Sequence, residues 1–224
     1  MGTRAGDVVV VDPWSGERRV CASVGGSMEV RTVSPSGRLV AGYVVGRGCV
    51  VVDVESGEKV WGWPSSPAWA AVRFVDERTL LTHKNGGGLE KWDIVESRRL
   101  MASEERAGRV YDAAISPDGK VLGTVGFDGT IALVDAATGR VVGGPGAIGR
   151  FPSTPLFTRD GTRLVTGGED GLIRFWETPG LGQMAAIRAD RSWVGAALTP
   201  DGRLMVVKSQ GNLMRFWGSD GVTE

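Results

Sequence analysis

The stretch SPDGKVLGTVGFDGTIALVD, residues 116–135, decides the fold because the chain repeats it with variations about every 41 residues. Two close copies follow, TRDGTRLVTGGEDGLIRFWE (158–177) and TPDGRLMVVKSQGNLMRFWG (199–218). Two more divergent copies precede it, SPSGRLVAGYVVGRGCVVVD (34–53) and VDERTLLTHKNGGGLEKWD (75–93). A period of this length indicates repeated supersecondary units that cannot bury their apolar faces alone and therefore stack on their neighbours.

Each repeat predicts four short antiparallel strands joined by tight turns. In the copy around residues 109–145, the strand-like runs are RVYDAAIS, KVLGTVG, TIALVD and RVVGG. Pro117 and the Asp118-Gly119 pair suit the first turn, and Asp128-Gly129 is typical of a tight connection between the second and third strands. Apolar residues occur on both faces of such a sheet, so each sheet must lie between copies of itself. Radial stacking of four-stranded sheets is the β-propeller, and the absence of a sustained helical period excludes an α-solenoid.

We therefore predict an all-β propeller of four-stranded antiparallel blades within a single domain, residues 1–224. About five complete repeats start near residues 28, 69, 110, 152 and 193. Residues 6–23 add a partial N-terminal blade, with a third strand at 6–12 and an outermost strand at 18–23. The last repeat is expected to end before its own outermost strand.

Two outcomes for the ring stay open at this point. Strand 18–23 could complete the last blade and close a ring of five or six blades. Alternatively, the chain is a portion of a longer propeller, and its open blade edges then invite self-association.

The ends of the repeats carry a family resemblance. Trp92-Asp93, Trp176-Glu177 and the degenerate Trp217-Gly218, together with the SPDG-type turn, resemble the WD-repeat family over residues 6–218. The Gly-His dipeptide typical of that family is missing from every repeat. The resemblance implies that Asp170, Thr166 and Trp176 form part of the family's Asp-His-Ser/Thr-Trp hydrogen-bonded tetrad. Elsewhere we expect packing and backbone ladders to hold the blades.

Composition excludes several kinds of partner. The 26 basic and 26 acidic side chains balance to zero net charge, and no Lys/Arg cluster indicates nucleic-acid or anionic-membrane binding. No apolar run is long enough for a membrane span, and the N-terminus does not read as a signal peptide. Cys21 and Cys49 lie in apolar runs and are expected to be buried reduced thiols of a cytoplasmic protein.

The sequence offers no pattern of catalytic or metal-binding residues. His83 is the only histidine, and it has no ligand partner at a suitable spacing. No Gly-x-Ser-x-Gly elbow occurs. We expect the carboxylates that end the third strands, such as Asp53, Asp93 and Asp135, to accept hydrogen bonds from turn amides. The prediction is a non-enzyme with no catalytic residue, no cofactor and no metal.

Binding is the function that the pattern favours. In the propeller architecture, residues near the start of each first strand gather on one rim, and aromatic and Arg side chains are enriched in interface hot spots. The candidate rim residues are Met28, Glu29, Trp69, Arg109, Tyr111, Phe151 and Trp193. A packing role stays open for Trp69 and Trp193, because both align with Val110, an apolar position between blades.

The resemblance is to bacterial WD-repeat proteins, and it implies a non-catalytic scaffold that binds a protein or peptide, such as the sensor or docking module of a larger signalling protein. Two alternatives stay open. IALVDAATGRVVGGPGAIGRFP (131–152) also resembles strands of quinone-dependent dehydrogenases and surface-layer repeat proteins, which would imply a small-ligand or enzymatic propeller. The chain could also be a truncated fragment without autonomous function.

Overall fold

The computed structural model describes residues 6–63, 72–83, 88–103, 110–149, 152–189, 194–199, 204–209, 214–218 and 221–222. Within these residues every regular element is a β-strand. The chain divides into two compact units, Met1–Ala102 and Ser103–Glu224.

The first unit contains one two-stranded and two four-stranded antiparallel sheets among its described residues. The two-stranded sheet pairs β1 (Asp7–Val11) with β2 (Arg18–Ser23). The next sheet has the order β3 (Met28–Val33), β4 (Leu39–Val44), β5 (Gly48–Asp53), β6 (Lys59–Trp63). The third has the order β7 (Val72–Phe74), β8 (Thr79–His83), β9 (Leu89–Asp93), β10 (Arg98–Ala102).

The second unit contains three four-stranded antiparallel sheets in the same up-and-down order. The first has β11 (Val110–Ile115), β12 (Val121–Gly126), β13 (Thr130–Asp135) and β14 (Val141–Ala147). The second has β15 (Leu156–Phe157), β16 (Arg163–Thr166), β17 (Leu172–Glu177) and β18 (Gln183–Arg188). The third has β19 (Val194–Leu198), β20 (Leu204–Ser209), β21 (Met214–Gly218) and β22 (Gly221–Val222).

The prediction of five complete four-stranded repeats and a partial N-terminal one is confirmed. One detail was wrong: the last repeat has its own outermost strand, because β22 pairs with β21 through Trp217↔Val222 and Gly218↔Gly221. A two-residue strand is too short to show an alternating apolar pattern, so sequence periodicity could not predict it. That the two units form one domain over residues 1–224 stays a prediction.

Both faces of the sheet β3–β6 are buried. Along β5, Val50 and Val52 pack into one apolar cluster with Val8 of the two-stranded sheet. Cys49 and Val51 pack into a second cluster, which the sheet β7–β10 completes. Alternate residues of a strand point to opposite faces, so this division follows from the strand itself.

The same alternation organises the second unit. On β16, Leu164 belongs to a cluster with Leu133 of the preceding sheet, whereas Val165 packs with Val194 and Val207 of the following sheet. All three sheets of this unit therefore share buried apolar residues with a neighbouring sheet, as the repeat pattern predicts.

The two cysteines differ in burial. Both are free thiols, but only Cys49 is fully buried, whereas Cys21 is half-buried and donates to the carbonyl oxygen of Val8 at 3.1 Å. Burial raises the pKa of the Cys49 thiol to about 12, so it stays protonated and packs as an apolar group. The expectation of two buried thiols is thus wrong for Cys21, because most residues of β2 are exposed and Cys21 is only partly covered.

The carboxylates at the ends of the third strands cap the following turns. In each case one carboxylate oxygen accepts hydrogen bonds from the backbone amides two and three residues further along, at 2.7–3.2 Å. The four residues that do this are Asp12, Asp53, Asp93 and Asp135. The expectation that these carboxylates serve the turn is confirmed.

The partial tetrad is only partly formed. Trp176 Nε1 donates to Thr166 Oγ1 at 2.8 Å, in the arrangement that the resemblance implies. Asp170 instead forms a two-point ion pair with Arg174, at 2.6 and 3.2 Å. The family's His is missing here, and Asp170 pairs with the guanidinium group of Arg174 on its own sheet.

The corresponding residues in the sheet β7–β10 form different hydrogen bonds. Trp92 Nε1 donates to Glu90 Oε2 at 3.2 Å, and the other oxygen of Glu90 accepts from Arg99 at 2.9 Å. This leaves Thr82 Oγ1, at the position of Thr166, as the one buried side-chain oxygen or nitrogen of the described part of the chain without a hydrogen-bond partner.

This difference predicts opposite effects for the same substitution. Thr166→Val leaves the buried indole N–H of Trp176 unsatisfied and should lower the free energy of unfolding by about 1–3 kcal/mol. Thr82→Val removes an oxygen that has no partner and should be neutral or stabilising. Urea unfolding of both variants checks this, and equal losses of stability would contradict it.

Candidate functional site

The ends of the four-stranded sheets differ in what they present. Because neighbouring strands are antiparallel, the start of the first strand and the turn between the second and third strands lie at one end of each sheet. We call this the entry end. The turns between the first and second strands, and between the third and fourth, lie at the other end, which we call the exit end. The predicted rim residues belong to the entry end.

The structure places three of the seven predicted rim residues. Met28 is 4% exposed and packs in the core with Val44, so its side chain is not available at the surface. Glu29 is exposed and forms an ion pair with Arg31 at 2.9 Å. Tyr111 is 37% exposed at the start of β11. Four predicted rim residues lie outside the described residues: Trp69, Arg109, Phe151 and Trp193. The side chain of His83 also lies outside them.

Tyr111 contacts a second aromatic side chain that sequence reasoning missed. The ring of Phe127 meets it edge to face, with ring centroids 5.0 Å apart and an interplanar angle of 80°. Phe127 is also 37% exposed and occupies the turn between β12 and β13. A large aromatic residue directly before the Asp128-Gly129 turn was the available signal, because turns otherwise favour small and polar residues.

Local hydrogen bonds hold this turn rigid. Asp128 Oδ1 accepts from the hydroxyl of Thr130 at 2.6 Å and from its amide at 3.0 Å, and both bonds lower the pKa of the Asp128 carboxyl. Gly129 has a φ of 82°, and a Cβ there would overlap the carbonyl oxygen of Gly149. Phe127 is therefore presented from a backbone with little freedom.

The chain between this sheet and the next is fixed at the same end. Thr154 donates its hydroxyl proton to Asp112 Oδ2 at 2.7 Å, which links the approach to β15 with β11. The Ser153 hydroxyl accepts from the Gly167 amide at 2.9 Å, and the Ser153 amide donates to the Gly167 carbonyl. These hydrogen bonds fix the backbone at the entry end of these two sheets.

Among the described side chains, no three His, Cys, Asp or Glu residues converge in a group that could hold a metal ion. The described chain also contains no helix with the length and apolar character needed to cross a membrane.

The fold belongs to a recognised class of structure. The chain is similar to the crystal structure of the computationally designed Ika8 protein, a propeller-like structure, with a TM-score of 0.79 and 16% sequence identity. The superposition covers 97% of this chain and 66% of that one. The chain is therefore an all-β propeller of four-stranded antiparallel blades, as the repeat pattern predicts.

Sequence comparisons point to a family within that class. The model of the WD domain, G-beta repeat, matches residues 99–135 and 154–177. The chain is 28% identical over 149 residues to the transcription factor unc-37 of Caenorhabditis elegans, covering 60% of this chain and 24% of that protein. It is 28% identical over 121 residues to the U3 small nucleolar RNA-associated protein 4 of Schizosaccharomyces pombe, covering 49% of this chain and 16% of that protein. These matches support a WD-repeat propeller, and the chain spans a quarter or less of the length of either relative.

The geometry of the aromatic pair predicts energetic coupling. In a double-mutant cycle with Tyr111→Ala and Phe127→Ala, we expect a coupling free energy of about 0.5–1.5 kcal/mol, as for other edge-to-face pairs. Urea unfolding of the two single variants and the double variant measures it.

Met184 serves as the control partner for Tyr111, because it is an exposed apolar residue on the outermost strand of the next sheet. A cycle between Tyr111→Ala and Met184→Ala should give additive losses of stability. Additive losses for Tyr111 and Phe127 as well would contradict the described contact.

Proposed function

We propose that this chain is a non-catalytic interaction scaffold that binds a protein or peptide at the entry end of its sheets. The observation that carries the proposal is the exposed edge-to-face pair of Tyr111 and Phe127 on a rigid turn. The match to the WD-repeat model supports it, because WD40 domains generally mediate protein interactions.

The physical case rests on the low entropic cost of binding at such a pair. An aromatic ring has few rotatable bonds, and each of these two rings already packs against the other. Little conformational freedom is therefore left to lose when a partner covers them. Aromatic side chains held in this way are typical hot spots of protein interfaces.

We extend the proposal to the setting of the chain. A non-catalytic propeller would suit the sensor or docking module of a larger cytoplasmic signalling protein. The free thiols of Cys21 and Cys49 agree with a reducing compartment.

The test is a selection of binding peptides from a random library displayed on phage, followed by measurement of their dissociation constants. We expect selected peptides to bind the Tyr111→Ala/Phe127→Ala variant at least about tenfold more weakly, since loss of a hot spot costs about 1–2 kcal/mol or more.

Trp14 supplies the matched control, because it is an aromatic residue that is 95% exposed in the turn between β1 and β2. Trp14→Ala should leave the affinity of these peptides unchanged. Peptides that bind the Tyr111/Phe127 variant as tightly as the parent protein, or a selection that yields no peptide, would overturn the proposal.

A further inference from the structure

A groove at the exit end of the first unit has chemistry that the proposed function does not use. It lies between the sheet β3–β6 and the sheet β7–β10 and has a volume of about 650 Å³. The residues that matter for its binding properties are Arg38, Asp53, Val60, Glu77, Ile94 and Val95. We call it the acidic groove, for the charges described below.

The acidic groove has an apolar strip that is open to solvent. Val95 is 68% exposed and Val60 is 44% exposed, and both line the groove together with the buried Ile94. The backbone amide of Val95 donates to Asp93 Oδ1 at 3.1 Å, so the turn holds this side chain in its exposed position. A partner that covers the strip removes apolar surface from water without first having to order the turn.

The two walls of the acidic groove are tied together. Glu77 accepts one hydrogen bond from the Ser36 amide at 2.6 Å and another from the Ser36 hydroxyl at 2.9 Å. These bonds join the first turn of one sheet to the first turn of the next. The groove is therefore formed before any ligand enters it.

The turns that surround the groove carry a strong excess of negative charge. Residues 34–38, 53–58, 75–78 and 93–98 contain seven carboxylates and three guanidinium groups, although the whole chain has a formal net charge of zero. The carboxylates are Asp53, Glu55, Glu58, Asp76, Glu77, Asp93 and Glu96, and the guanidinium groups are Arg38, Arg78 and Arg98.

Two of these guanidinium groups are already engaged by carboxylates of the third strands. Arg38 lies 2.7 Å from Asp53, and Arg78 lies 2.8 Å from Asp93. Glu55 and Glu96 share these same cations at 3.8 and 3.3 Å, and their side chains are 72% and 60% exposed. The surplus negative charge therefore faces solvent beside the apolar strip.

The charge is not a general property of the repeat. The second unit has an equivalent groove of about 500 Å³ between the sheets β11–β14 and β15–β18, lined by residues that include Pro117, Phe157 and Pro179. The equivalent turns, residues 116–120, 135–140, 158–162 and 177–182, contain four carboxylates and three cationic side chains. The same turn backbone thus forms without the excess of acid.

We propose that the acidic groove binds a basic amphipathic peptide segment of a partner protein. Lys or Arg side chains of the segment pair with Glu55 and Glu96, and its apolar side chains cover Val60 and Val95. Opposite charge selects such a segment and steers its approach, and the apolar strip retains it.

The experiment titrates the intact chain with a short fluorescent probe peptide in which Lys and Leu alternate, and follows its polarisation. We expect saturable binding that weakens as salt is added, because the pairing charges are exposed. A Lys/Ser probe, which has the charge but no apolar side chains, should bind at least about tenfold more weakly, because it cannot bury apolar surface against Val60 and Val95.

Two variants locate the binding. Glu55→Lys/Glu96→Lys should weaken binding of the Lys/Leu probe by about tenfold or more, because two attractions become repulsions. The control variant Glu29→Lys/Glu169→Lys makes the same change in net charge at exposed residues on the entry ends of the sheets β3–β6 and β15–β18, whereas the groove lies at an exit end. This control should keep most of the affinity. Circular dichroism spectra show whether both variants remain folded.

Equal binding of the Lys/Leu and Lys/Ser probes would overturn the proposal, because the apolar strip would then play no part. Equal weakening by the two charge variants would also overturn it, because the attraction would then be to the net charge of the protein. Neither result bears on the entry-end proposal, whose test uses Tyr111 and Phe127.

Discussion

The burial of both faces of its sheets is the constraint on which the rest of this structure depends. A strand such as β5 places Val50 and Val52 on one face and Cys49 and Val51 on the other, and all four are buried. A single four-stranded sheet with two apolar faces exposes too much apolar surface to be stable in water. Stacking of successive sheets removes that surface, so the 41-residue repeat and the propeller architecture have the same physical origin.

Because stacking constrains the residues on the faces of the sheets, sequence differences between repeats are tolerated best at the ends of the sheets. Even there, turn geometry restricts which residues can be replaced. The aspartate that ends the third strand accepts hydrogen bonds from two backbone amides, and the fifth residue of the turn, which is Gly57, Ser97 or Gly139, has a positive φ. The turn does not need a particular side chain at the residue two positions after that aspartate. This residue is Glu55 in one sheet, Val95 in the next and Ala137 in a third, so these positions can carry charge or apolar surface without cost to the turn.

Turn chemistry and periodicity are local features of the sequence, which is why the strands and their order could be predicted from it. The Trp176–Thr166 hydrogen bond was predicted from the family resemblance. What could not be predicted depends on a choice between nearby partners. Thr82 and Glu90 lie on the same sheet as Trp92, and either could accept a hydrogen bond from its indole N–H. Only the side-chain geometry shows that Glu90 is the acceptor. The burial of Met28 could not be predicted for a similar reason. Alternate residues of β3 face opposite sides of the sheet, and the sequence does not show which set faces the core.

The two candidate surfaces differ in how far they could be predicted from the sequence, because each combines residues that are distant along the chain. Tyr111 stands out as an aromatic residue at the start of a strand, but its partner Phe127 lies 16 positions away and meets it only across the β11–β12 pair. The acidic groove is harder still to read, because its charge is spread over four turns separated by whole strands and cancels in the composition of the chain. A repeat fold brings such distant turns to one end of neighbouring sheets. Turn geometry leaves some residues of each turn unconstrained. Comparing these residues between equivalent turns therefore indicates candidate binding surfaces that a search for linear motifs misses.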